Sequence, residues 1–100
     1  MAVLLYVDFP YDGPFGDGMT ERMKDLASSI ALEPGIISKI WTENSQTKEA
    51  GGVYQFATRE DAERYLAMHA ERLKRSGVAE VRAKFFSIND ALTELSMPPK

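Results

Sequence analysis

The chain has 100 residues, 44% of them hydrophobic and 27% charged, with a formal net charge of −3. A chain this long buries roughly two-thirds of its unfolded surface, enough for one core, so residues 1–100 are expected to form a single domain. Twelve Lys and Arg interspersed among fifteen acids leave no basic stripe for nucleic acid; the absence of cysteine removes disulfides, thiolate zinc sites and cysteine nucleophiles, and a single histidine removes a multi-histidine metal site.

The opening MAVLLYVDFP lacks a basic leader, is too short an apolar run for a secretory signal and meets Asp8 early. With nothing near eighteen consecutive apolar residues, the expectation is a cytoplasmic chain with no membrane partner. Val3 to Phe9 reads as a first strand, ended by the turn-rich PYDGPFGDG. A first helix follows, capped near Asp17, with Met19, Met23, Leu26, Ala27 and Ile30 at three- and four-residue spacing, and stops before Glu33-Pro34-Gly35. Ile36 to about Asn44 reads as a second strand, whose alternation puts Lys39, Trp41 and Glu43 on one face and Ile40 with Thr42 on the other. SQTKEAGG suits a bulged hairpin or extended loop leading to a third strand, Val53 to Ala57, antiparallel to the second.

Thr58, with Asp61 three residues on, caps a second helix that runs from acidic to basic and closes at Gly77. Val78 to Ile88 reads as the last strand; INDALTELSMPPK adds at most a helical turn, with about 96–100 as a flexible tail. The order predicts an α+β, ferredoxin-like βαββαβ domain with both helices on one face of a four-stranded antiparallel sheet. Leu5 and Val7 oppose Leu4 and Tyr6, and Val81, Ala83 and Phe85 oppose Phe86 and Ile88, so both sheet faces carry apolar groups. An uncovered apolar face is uncommon on a monomer, which predicts a homodimer joined through the open face.

His69 is the sharpest single residue. At about 100° per residue it lies within roughly 60° of Ala62, Leu66 and Leu73, in the middle of the helix's inward stripe. It is either a core histidine satisfied by a carbonyl or water, or a base above a cavity. Trp41, between Lys39 and Glu43, is either core filler, a cavity wall with a polar rim, or part of a salt-bridged margin. Tyr54 and Phe56 share a parity and can meet Trp41 in an aromatic surface with one hydroxyl, which suits a planar apolar ligand and also a plain core. Arg72 lies about 80° off the stripe, within reach of a pocket mouth or of water. GPFGDG is misplaced for a dinucleotide fingerprint, and no G-x-S-x-G or P-loop occurs.

GPFGDGMTERMKDLA, EPGIISKIWTENSQTKEAGGVYQF and AERLKRSGVAEVRAKFFSIN resemble the YdhR-type monooxygenases nearly from end to end, W-T-E followed by E-A-G-G-x-Y being the most specific part. The resemblance implies a dimeric α/β barrel, each subunit keeping a pocket between sheet and helices. It implies kinship with cofactor-free monooxygenases that oxidise phenolic or anthrone-like substrates with O₂, and places Trp41, Glu43, Tyr54 and His69 in the pocket. The resulting expectation is an enzyme without cofactor or metal, acting on a small aromatic or polycyclic phenol. His69 serves as base, Tyr54 or Trp41 bonds and stacks, and Arg72 or Lys39 stabilises the anion, with Glu43 and Phe56 as further substrate contacts. The alternatives are a non-catalytic dimer that binds or senses a small hydrophobic ligand, and a purely structural dimer with the space under His69 filled.

Overall fold

The structure, a computed structural model, describes residues 2–99, so Lys100 at the end of the expected tail lies outside the described residues. The elements run β1 (Val3–Pro10), α1 (Asp17–Ile30), β2 (Ile36–Asn44), β3 (Glu49–Phe56), α2 (Arg59–Arg75), β4 (Arg82–Ser87) and α3 (Asp90–Leu95). The sheet is antiparallel throughout in the order β2-β3-β1-β4, the ferredoxin-like βαββαβ arrangement with a short third helix added. The hydrophobic strand β1 is central because it is paired on both sides, and its period-two pattern buries Val3, Leu5 and Val7 beneath the helices. Phe56 and Tyr54 of β3 continue that layer, and Ala62 and Tyr65 of α2 close it from above.

Local chemistry sets the element ends. Thr58 Oγ1 accepts from Asp61 N at 3.1 Å and donates back to the Asp61 carboxylate, starting α2 as expected. At the other end Gly77 takes φ 95°, while Gly77 N and Val78 N donate to Lys74 and Leu73 carbonyls, a Schellman closure. That closure holds Val78 against the helix, so β4 begins only at Arg82, where Asp8 pairs with it, four residues later than the sequence suggests. Asp17 is the first helical residue of α1 and not its cap; the cap position is Gly16 at φ 61°, which no aspartate side chain satisfies.

The hairpin closes earlier than expected. Asn44 Oδ1 accepts from Gln46 N and Thr47 N, and Lys48 turns the chain at φ 59°, so β3 starts at Glu49 and the paired glycines lie inside the strand. Gly51 faces the β1 backbone so closely that a Cβ there would collide with the Val7 carbonyl. At Gly52 a Cβ would fall 2.6 Å from Lys39 Cε, so its bareness makes room for a β2 side chain.

The open face carries Leu4, Tyr6, Val53 and Phe86 around a charged cluster in which Arg82 joins Asp8 and Glu49, and Tyr6 donates to Asp8. Ile40 and Phe86 are 64% and 50% exposed there. Among the described residues no helix is long and apolar enough to cross a membrane.

Candidate functional site

Alternation along β2 places Lys39, Trp41 and Glu43 opposite Tyr54, Gly52 and Ala50, on the helix side of the sheet. Because Gly52 has no side chain, the Lys39 stem crosses it and sets Nζ 3.3 Å from the Trp41 ring centroid and 4.6 Å from that of Tyr54. Among the described residues no carboxylate pairs with this ammonium. Burial, and secondarily the Arg72 charge, push the Lys39 pKa down to about 7. The Trp41 face attracts the charged form and offsets part of that loss.

Above it, α2 presents Tyr65, His69 and Arg72 at i, i+4 and i+7, one line along the helix. His69 is 3% exposed, stacked on Tyr65 at 5.2 Å and edge-on to Tyr54 at 6.3 Å. Arg72 Nη2 lies 2.9 Å from His69 Nδ1; a guanidinium only donates, so Nδ1 accepts and the ring proton sits on Nε2. Burial, then Arg72 and Lys39, hold the His69 pKa down to about 3, so the imidazole is neutral across the physiological range. Tyr65 donates to the Tyr54 hydroxyl at 3.3 Å, and burial pushes both phenols up, keeping them protonated. Arg72 Nε is buried and has no hydrogen-bond partner.

The space beneath His69 is smaller than the sequence led one to expect. Lys39, Trp41, Tyr54, His69, Met19 and Met23 border a hollow of about 40 Å³, room for a water or two and not for an aromatic ligand. Tyr65, stacked on the imidazole, and Tyr54, edge-on to it, occupy the space around the ring. Ligand-sized space lies on the outer side of Trp41, where α1 stands off from the edge strand. One groove of about 340 Å³ runs past Met19, Met23 and Glu43, and another of about 280 Å³ runs past Ile36 and Lys39. Trp41 borders all three spaces and stands between them, with Met19 and Met23 toward the larger groove and Lys39 toward the smaller.

Of the residues singled out from sequence, Lys39, Trp41, Tyr54 and His69 meet at the hollow, and Arg72 joins them through His69. Glu43 is exposed; it borders the outer groove and accepts from Gly16 N at 2.7 Å, bracing the start of α1. Phe56 is fully buried between Tyr54 and Tyr65 and borders neither hollow nor grooves, so its place is in the core. Sequence reasoning missed Tyr65, although its place four residues before His69 and seven before Arg72 marks it as their neighbour. Among the described residues no three His, Cys, Asp or Glu side chains gather as metal ligands would.

The family model ydhR, described as "Putative mono-oxygenase ydhR", matches residues 4–99. No curated protein matches the chain.

Proposed function

Because the chain belongs to this ydhR mono-oxygenase family, we propose that it is a cytoplasmic homodimer that oxidises a small aromatic or polycyclic phenol with O₂ and without a cofactor. The observation that carries the proposal is Lys39: an amine with a pKa near 7, enclosed by two aromatic rings and no acid. A base titrating near the working pH is the best compromise between being free and holding a proton. The reading therefore moves the base from His69 to Lys39. His69 has its acceptor nitrogen bonded to Arg72 and takes up no proton at neutral pH. Its Nε2–H remains as a donor to the developing phenolate, beside the protonated Tyr54.

The chemistry balances without an outside reductant. Lys39 takes the phenol proton; the phenolate passes one electron to O₂, and the resulting radical pair forms a C–O bond. The peroxide takes the proton back from Lys39; the amine then removes the C–H proton of the oxygenated carbon as the O–O bond breaks, and that proton leaves with the released hydroxide as water. Phenol plus O₂ gives quinone plus water, all four electrons coming from the ring. For this to occur in a dry space, Trp41 must turn outward, joining the hollow to the grooves, and close over the substrate.

Dimerisation through the open face would bury Leu4, Val53, Phe86 and Ile40, which supports the paired form. A second reading, a binder of small hydrophobic ligands without turnover, is favoured by the Met-lined outer groove, whose volume already suits a small ligand. Oxygen consumption against a panel of polycyclic phenols, with product identification, separates the two. Quinone formation abolished by Lys39→Met and retained in His69→Gln at reduced rate supports the mono-oxygenase with Lys39 as base. Tight binding without oxygen uptake supports the binder.

A further inference from the structure

The two half-buried arginines of the described chain are treated unequally. Arg82 is held by Asp8, Glu49 and Glu80, whereas Arg72 makes no ion pair with any described acid. Beneath α2 it meets the neutral imidazole of His69 and the Tyr65 phenol and, through its charge, acts on Lys39 and Tyr54, none of them an anion. Its Nε–H is buried and has no hydrogen-bond partner among the described residues. A buried donor on a charged group is costly to leave unmade, and charge-assisted bonds to carboxylates are what guanidinium geometry favours.

The cost rises during the reaction. Once Lys39 holds the phenol's proton, the ammonium and the phenolate balance each other, and Arg72 still faces that ammonium with no counter-ion of its own. Resting on the phenol-oxidising reading above, we infer that the substrate carries a second acidic group, a carboxylate on the aromatic ring, which Arg72 binds through Nε–H. The ligand class is therefore an aromatic hydroxycarboxylate, its hydroxyl at Lys39 and its carboxylate at Arg72, with the ring in the space that Trp41 vacates. The neutral imidazole of His69 fixes the guanidinium without competing for its charge. A glutamate or aspartate in that place would have satisfied Arg72 permanently and removed its selectivity.

Isothermal titration calorimetry with 1-hydroxy-2-naphthoate and 1-naphthol at pH 7.5 tests this, because the two probes differ only by the carboxylate. The carboxylate is expected to bind about 10- to 100-fold more tightly, the worth of one charge-assisted contact in a sheltered site. Arg72→Met should abolish the preference by weakening the carboxylate far more than 1-naphthol, with circular dichroism confirming the fold. Should Arg72→Met fail to fold, Arg72→Lys decides instead: it keeps the charge, loses the Nε–H and should forfeit most of the preference. Equal affinities in the wild-type protein, or a preference that survives both substitutions, overturn the inference. If 1-naphthol binds and consumes O₂ as well as its carboxylate does, the substrate class falls and the mono-oxygenase reading stands. If neither probe binds nor reacts, both fall.

Discussion

Replacing Lys39 with Met isolates the energy stored in an amine held near neutrality. Between its folded pKa of about 7 and the ordinary 10.5, the unfolded chain binds a proton at this side chain that the folded chain does not. Stability must therefore rise with pH across that window, and the burial penalty is fully present below pH 7. One titrating group changes stability by about 1.4 kcal/mol per pH unit, so the window holds about 5 kcal/mol at most. Attraction of the ammonium to the Trp41 face, about 1–2 kcal/mol, and the half-open position of Lys39 reduce this to about 3 kcal/mol. Methionine keeps the unbranched stem over Gly52 and removes the charge, so Lys39→Met should be the more stable protein at pH 7 by about 2–3 kcal/mol. That advantage should shrink steadily toward pH 9.5. Urea melts of both proteins at pH 7, 8.2 and 9.5 measure the effect, and the quantity that matters is the change in their difference with pH. A difference that stays constant over this range would mean that Lys39 titrates normally, and the case for it as a base near neutrality would go with it.

His69→Gln tests the neutral imidazole in the opposite pH range. The unfolded chain protonates His69 below about 6.5 and the folded chain only near 3, so wild-type stability should drop by about 3 kcal/mol from pH 6.5 to 4, a slope that Gln removes in urea melts. Gly51→Ala places a methyl group against the Val7 carbonyl and should cost about 3 kcal/mol or prevent folding, whereas Gly77→Ala, with nothing within 4 Å, should cost only about 1 kcal/mol for its positive φ. Sedimentation at micromolar concentration should show a dimer, and Phe86→Asp on the open face should yield a monomer with an unchanged circular dichroism spectrum; a wild-type monomer would refute the paired arrangement.

The fold was legible because strand alternation and helix spacing report burial directly. Val3, Leu5 and Val7 could only be one face of a covered strand, and Thr58-Asp61 with Gly77 marked both ends of α2. The glycines misled for a physical reason: from sequence Gly51-Gly52 reads as part of a bulged hairpin or extended loop, and only the neighbouring β1 backbone and the Lys39 stem reveal that bareness is needed mid-strand. The site residues were legible as a set, since Lys39, Trp41, Tyr54 and His69 follow from the two periodicities, but their roles were not. Which nitrogen is a base depends on who sits beside it across elements. Arg72, three residues after His69 and about 80° off the inward stripe, takes the imidazole's acceptor and depresses both nitrogens' proton affinity together. The same guanidinium thus disqualifies the histidine and helps qualify the lysine. A site whose cations outnumber its anions is poised to be completed by what it binds, and Arg72 therefore joins the choice of base to the choice of ligand.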